Sequence, residues 1–151
     1  MPIADLTKIE RSVLIRAPRS LVWRAIAEVK EFSAWFQVKA EGRFAPGARV
    51  RMVSTHPECS GVVVDVIIQD VVPEQRFSWK WHPGMPVPGE DISAEPMTLV
   101  EFHLSDEGGG TRVTVIESGF DLLTLAKRSR VFDENDKGWA EQLAALGRYL
   151  P

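Results

Sequence analysis

Two alternating runs on either side of a glycine-rich turn limit the folds open to this chain more than any other segment. Residues 98–105 and 111–118 alternate apolar and polar side chains, which is typical of half-buried β-strands. Residues 106–110 between them end in three consecutive glycines, a composition typical of a hairpin turn. The sequence therefore predicts an antiparallel hairpin here.

The segments before this hairpin predict more strands and two short helices. Branched residues over 9–16 predict a first strand, and Ala17-Pro18 marks a helix start. Helical spacing then covers residues 20–36, with a charged joint at Lys30-Glu31. Further strands are predicted at 48–54, 61–72 and 76–82.

Beyond the hairpin the pattern becomes helical to the end of the chain. Trp139, Leu143, Leu146 and Leu150 are spaced to form one apolar stripe. We interpret the acidic run 133–137 as lying near the start of this helix, where the helix dipole favours acids. The element order predicts an α+β protein, one domain over residues 1–151, with helices on one face of an antiparallel sheet.

Four pieces of the sequence, in this order, resemble the SRPBCC (START-like, helix-grip) superfamily. Within it they are similar to the C-terminal domain of the activator of the heat-shock chaperone ATPase. The pieces are 17–25 with Trp35-Phe36, 73–77 leading to Trp81, 110–115 with 118–120, and Gly138-Trp139 with Leu143, Leu146, Tyr149 and Leu150.

The resemblance implies a helix-grip fold. A curved antiparallel sheet of about six strands would wrap a long C-terminal helix, with two short helices after the first strand. It also implies a cavity between sheet and helix, which in related families holds lipids, sterols, polyketides or plant hormones.

The aromatic side chains of the predicted sheet are candidates for the wall of such a cavity. Alternation places Phe77, Trp79 and Trp81 on one face of their strand. Such side chains either line a pocket for an apolar ligand or fill the core completely, and both readings stay open. The predicted ligand-binding residues are Phe77, Trp79, Trp81, Val100, Phe102, Val113, Val115, Glu117, Trp139 and Leu143.

Glu117 is the most informative of these residues, because alternation puts this acid on the face of Val113 and Val115. One reading is a polar anchor or general acid for a bound molecule. The other is a strand-end acid that reaches solvent or pairs with an arginine, for which Arg49, Arg51 and Arg128 are candidates. We expect replacement of Glu117 by Gln to leave stability nearly unchanged or to raise it.

No motif for a metal, a cofactor or a catalytic nucleophile is found. His56 and Cys59 form a lone His-x-x-Cys, whereas a zinc site needs about four ligands. His82 ends a strand beside residues 83–96, whose four prolines and two glycines suit a mobile loop that acts as a lid. We predict no cofactor, no metal and no catalytic residue.

The charge balance argues against nucleic acid. Eighteen Lys and Arg against 21 Asp and Glu give a formal net charge of −3, so a general attraction to phosphate is missing. No apolar run is long enough to span a bilayer, and a single cysteine without a secretory leader indicates the cytoplasm.

The leading hypothesis for function is a protein that binds a hydrophobic small molecule in an internal apolar cavity. The alternatives are an enzyme of the polyketide cyclase or dehydratase kind, with Glu117 and His82 as acid and base, and a chaperone accessory factor. Membrane association is not predicted, and a homodimer stays open.

Overall fold

A computed structural model describes residues 7–150. It contains seven strands, three α-helices and one short 3-10 turn at Phe120–Leu122 within that range. In chain order the elements are β1 Lys8–Ile15, α1 Arg19–Ala27, α2 Val29–Phe36, β2 Val38–Glu41, β3 Arg49–Ser54, β4 Val63–Val72, β5 Arg76–Trp81, β6 Thr98–Glu107, β7 Gly110–Ser118 and α3 Leu125–Tyr149.

The strands form one antiparallel sheet in the order β1-β7-β6-β5-β4-β3-β2. The predicted α+β helix-grip fold is confirmed, since this curved sheet is combined with two short helices after β1 and a long C-terminal helix. The sheet has seven strands where about six were expected. The addition is β2, a four-residue edge strand that pairs with β3 and is too short to show a clear alternation.

The predicted hairpin is confirmed as β6 and β7, and its strands run further than the sequence indicated. Glu107 pairs with Gly110, which leaves only Gly108 and Gly109 in the turn. Both have positive φ, 55° and 82°, a combination that two-residue hairpin turns require and that glycine adopts without strain. The acidic residues of the turn segment therefore continue strand β6.

A register shift in the β4–β5 pair explains a buried polar residue. The ladder between these strands is irregular between Ile68 and Val71. Ser78 is 1% exposed although it faces away from Phe77 and Trp79, and its hydroxyl accepts a hydrogen bond from the Asp70 backbone N–H at 3.0 Å. The side chain thus satisfies a backbone donor at the irregularity.

Helix α3 begins at Leu125, and the hydroxyl of Thr124 caps it by accepting from the Lys127 backbone N–H at 3.3 Å. The prediction that residues 133–137 stand near the helix start is wrong, because Asp133 lies two turns inside. One of these acids, Asp136, instead binds Arg11 of β1 through two hydrogen bonds of 2.8 and 3.0 Å. The acids fasten the middle of the helix to the edge of the sheet.

The core lies between the inner face of the sheet and helices α2 and α3. Its centre is Trp79, fully buried, whose ring meets those of Phe32, Phe102 and Trp139 at centroid distances of 5.8, 5.4 and 6.2 Å. Aromatic groups at these separations pack edge-to-face or offset. No helix in residues 7–150 is long and apolar enough to cross a membrane.

Candidate functional site

A pocket of about 230 Å³ lies where the end of β5 faces the middle of α3. Aromatic and apolar groups make most of its wall, and the polar groups stand at its rim. Its wall includes the side chains of Phe36, Val64, Trp81, Met85 and Trp139, together with Gly138.

The two tryptophans of this pocket come from elements that are distant in sequence. Trp81 is the last residue of β5, and Trp139 lies on the stripe of α3 that packs on the sheet. Their rings are 5.9 Å apart and inclined by 30°, and Phe36 at the end of α2 lies 6.1 Å from Trp139. Gln142 joins α3 to this corner by donating to the Phe36 carbonyl at 3.1 Å. Three elements therefore fix the aromatic wall.

Behind this wall the carboxylate of Glu117 is fully buried and accepts hydrogen bonds from four side chains. Its Oε1 accepts from Trp139 Nε1 at 2.8 Å and from Asn135 Nδ2 at 2.9 Å. Its Oε2 accepts from Trp81 Nε1 at 2.9 Å and from the hydroxyl of Thr98. We call these five residues the Glu117 network. Hydrogen bonding of this kind is what permits a buried carboxylate.

The strand register and the spacing along α3 bring the residues of the Glu117 network together. Glu117 pairs with Val100 across the β6–β7 ladder, and Thr98 and Trp81 are directly paired on the β5–β6 ladder. They are therefore diagonal neighbours on one face of the sheet. Asn135 and Trp139 are four residues apart and share one face of α3, so both donors reach the same carboxylate.

Glu117 neither reaches solvent nor pairs with an arginine within residues 7–150. Arg51 stands 4.0 Å from Asp65, and Arg128 donates to the backbone carbonyl of Phe120 at 2.9 Å. Within residues 7–150 no salt bridge involves Glu117. The carboxylate is held by four neutral donors, three of which, Trp81, Asn135 and Trp139, line the pocket.

The structure divides the predicted ligand-binding residues into three groups. Trp81 and Trp139 line the 230 Å³ pocket, and Glu117 holds them from behind. Leu143 lines a different depression, beside the Arg11–Asp136 pair. The others are completely buried in the core and line none of the pockets: Phe77, Trp79, Val100, Phe102, Val113 and Val115.

Trp79 differs from its two neighbours in having no polar partner. Its indole N–H is buried and finds no acceptor within the described part of the chain, whereas those of Trp81 and Trp139 both bind Glu117. Trp79 thus contributes through packing.

Pattern reasoning missed the pocket residues that come from other elements. The sequence indicates Val64 only as a strand position, and it indicates Phe36 and Gly138 only as a helix position and as parts of the family resemblance. Gly138 does carry a sequence signal. A glycine inside a helix costs about 1 kcal/mol relative to alanine, so its presence indicates a local structural or functional role.

The segment after β5 closes one side of the pocket and rests on α3. At Gly84 φ is +86°, and a Cβ built there would lie 2.5 Å from Cγ1 of Val131. The next residue, Met85, donates its backbone N–H to Glu134 at 3.2 Å. Only glycine fits a backbone so close to the helix.

A half-buried cation, Lys127, fastens the far part of this segment. Lys127 Nζ donates to Glu95 at 2.8 Å and to Glu90 at 3.1 Å. Burial opposes its charge, but the hydrogen bonds to Glu95 and Glu90 prevail and raise the pKa of Lys127. The segment therefore contacts α3 at Gly84, Glu90 and Glu95, and its action as a lid stays a prediction.

The histidines and the cysteine have ordinary partners. His82 lines the pocket, with its Nε2 3.0 Å from the Glu95 carbonyl oxygen. His56 Nδ1 accepts from the Glu58 backbone N–H at 3.1 Å, and Cys59 Sγ lies 3.1 Å from the hydroxyl of Ser54. Within residues 7–150 no three His, Cys, Asp or Glu side chains are grouped so that they could hold a metal ion.

A sheet that grips a long C-terminal helix, with an aromatic pocket between them, defines a helix-grip domain of the START-like class. The family model described as "Activator of Hsp90 ATPase homolog 1-like protein" matches residues 16–151. The chain belongs to this family. No curated protein matches the chain in sequence.

Solved structures confirm the fold over nearly the whole chain. Protein Ms6760 from Mycobacterium smegmatis has a TM-score of 0.78 at 17% identity, covering 97% of this chain and 92% of that one. Protein MLL2253 from Mesorhizobium loti has a TM-score of 0.75 at 20% identity, covering 94% and 95%. The Aha1 dimer from Colwellia psychrerythraea has a TM-score of 0.69 at 18% identity, covering 95% of each chain.

Proposed function

We propose that this protein binds a small, largely apolar molecule in the pocket between Trp81 and Trp139. The observation that carries the proposal is the pair of tryptophans whose indole N–H groups are both held by one buried carboxylate. Both indole N–H groups are already satisfied by Glu117, so the faces that they offer to the pocket are apolar. Apolar, pre-formed concave sites with a few fixed polar groups are typical of small-molecule sites.

The size of the pocket limits the ligand. Its volume of about 230 Å³ is below the roughly 300–1,000 Å³ of drug-sized sites. A fused pair of aromatic rings or a medium-length acyl chain fills such a space. Larger ligands would extend beyond the pocket, past Val64 and His82.

Binding is favoured over catalysis by the state of Glu117. A general acid or base needs a lone pair or proton within reach of the substrate. Both carboxylate oxygens of Glu117 are engaged by donors, and the side chain is fully buried behind the tryptophans. Its role in the proposal is therefore to orient Trp81 and Trp139.

Two glycines of α3 provide a matched test of this site. A Cβ at Gly138 or at Gly147 would meet nothing within 4 Å, but only Gly138 lines the pocket. Gly138→Leu should fill the pocket, and Gly147→Leu should add the same side chain outside it. Both changes replace a helical glycine and should not lower stability.

The measurement is fluorescence titration with N-phenyl-1-naphthylamine, a neutral dye that brightens in apolar sites. The wild type and Gly147→Leu should bind the dye with micromolar affinity, and Gly138→Leu should lose at least about tenfold in affinity. Equal binding by all three proteins would place the dye elsewhere. No binding by a folded wild type would refute the proposed function.

Cytoplasmic location and a homodimeric state are further parts of the proposal. The first is supported by the single free Cys59, and the second by the dimeric state of the similar Aha1 structure. Light scattering on the purified protein at several concentrations checks the second. A constant mass of about one chain would contradict it.

A further inference from the structure

We propose that the natural ligand is an amphipathic molecule with one anionic head group, which Arg49 and Arg130 bind outside the tryptophan pocket. This inference rests on the proposed function and names the chemical class of the ligand. It is carried by a second pocket, adjacent to the first, whose polar groups are not all paired.

The second pocket has a volume of about 450 Å³. It shares Val64, His82, Gly84 and Met85 with the tryptophan pocket, so the two spaces are adjacent. Arg130 of α3 also lines it. A ligand whose tail lies against Trp81 and Trp139 would pass these shared residues and place its other end in the second pocket.

Apolar side chains at the second pocket are unusually exposed. Met85 is 48% exposed, Val87 42% and Val63 39%, and all three line this space. Single exposed apolar residues need no explanation, but a group of them around one concavity marks a binding surface. The mouth is thus apolar, and Arg49 and Arg130 stand among the charged groups that line it.

The acids of the second pocket have partners, whereas its two arginines do not. Glu90 pairs with Lys127 at 3.1 Å, and Asp65 stands 4.0 Å from Arg51. Asp91 accepts hydrogen bonds from the backbone N–H and the hydroxyl of Ser93 at 3.0 and 2.7 Å.

Arg49 and Arg130, in contrast, form no salt bridge or side-chain hydrogen bond to any residue in the range 7–150. An unpaired guanidinium offers five N–H donors in a planar fork that suits a carboxylate or phosphate. Two unpaired guanidinium groups that line the same pocket favour the binding of an anionic group there.

The tryptophan pocket itself excludes an anionic head. The carboxylate of Glu117 lies directly behind the two tryptophans, and that of Glu134 stands at the rim. A second anion there would meet two like charges in a partly desolvated space. The orientation follows, with the apolar tail at Trp81 and Trp139 and the anionic head at Arg49 and Arg130.

A matched pair of probes tests this orientation. Decanoate and 1-decanol have the same chain and differ in the charge of the head, and each is titrated against bound N-phenyl-1-naphthylamine at low salt. Wild type should bind decanoate about tenfold more tightly than decanol. Arg49→Gln and Arg130→Gln should each weaken decanoate roughly fivefold and leave decanol unchanged, as for partly exposed ion pairs.

Arg148→Gln is the control, because Arg148 is an exposed arginine of α3 that lines neither pocket. It makes the same change in net charge and should leave both probes unchanged. Dye binding with equal affinities for decanoate and decanol would overturn the anionic head and leave the proposed function standing. Equal losses in Arg148→Gln and Arg130→Gln would also overturn it, since net charge would then explain the preference. Failure of the dye to bind at all would instead refute the proposed function.

Discussion

Replacing Glu117 by Gln should destabilise the protein, although the substitution is nearly isosteric. Gln offers one acceptor and one NH₂ donor where the carboxylate offers two acceptors. If the NH₂ takes the place of Oε1, the indole of Trp139 loses its acceptor and faces another donor. If it takes the place of Oε2, the same happens to Trp81, while the hydroxyl of Thr98 is free to turn and accept. Either orientation leaves one indole N–H without a partner.

The magnitude follows from that single lost partner. A buried donor without an acceptor costs about 1–3 kcal/mol, and hydrogen bonds to charged groups lie toward the upper end of the range. We expect a loss of about 2 kcal/mol in the free energy of unfolding, which lowers the urea midpoint by roughly 1 M. Relief of the buried charge offsets part of the loss, so the value is not larger.

The assay is urea unfolding followed by far-ultraviolet circular dichroism, with Glu101→Gln as the control. Glu101 lies on β6 with its side chain 25% exposed, and its nearest charge partner is His103 at 3.6 Å. It should change stability by less than about 0.5 kcal/mol. A Glu117→Gln protein as stable as the wild type would show that the carboxylate does not hold the two indoles.

Three further predictions concern local contacts elsewhere in the fold. Gly84→Ala should lower the melting temperature and speed proteolysis within residues 83–96, because the new Cβ cannot coexist with Val131. An unchanged cleavage rate would contradict the close approach. Ser78→Ala should cost about 1 kcal/mol in urea unfolding by leaving the Asp70 N–H unpaired, and a neutral result would mean that water replaces the hydroxyl. Asp136→Asn should lower the free energy of unfolding only at pH values at which Asp136 is ionised. The hydrogen bonds and charge of Arg11 lower the pKa of Asp136, so its contribution is complete above the ordinary carboxyl range, near pH 4, and is lost as pH falls through the folded value. Because both side chains are more than a third exposed, screening limits that contribution to about 1 kcal/mol or less. The prediction is contradicted if the difference in the free energy of unfolding between wild type and variant does not shrink as the pH is lowered.

The strands and helices followed from the sequence where their periodicity was undisturbed. The β6–β7 hairpin and the face shared by Val113, Val115 and Glu117 were predictable because alternation fixes which side chains share a face. The start of α3 was not, because the acids at 133–137 were a stronger composition signal than the single capping Thr124.

The site was harder to predict for a different physical reason. Alternation says which face Glu117 occupies, but not that donors from β5, β6 and α3 converge on it. The sequence thus favoured a neutral or stabilising effect of Glu117→Gln, and the geometry reverses that expectation. In the same way the aromatic face was recognisable, whereas its division into the buried Trp79 and the pocket residue Trp81 depends on where the strand ends.

The most direct test of the central claim is an NMR titration of the indole N–H groups with N-phenyl-1-naphthylamine. The account predicts saturable shifts of the Trp81 and Trp139 resonances, whose rings line the pocket and whose N–H groups bind Glu117. Trp23, half-buried on α1 and lining none of the pockets, is the internal reference and should not move. Shifts as large at Trp23 as at Trp81 and Trp139, or none at those two while the dye is bound, would contradict the claim that this pocket is the binding site.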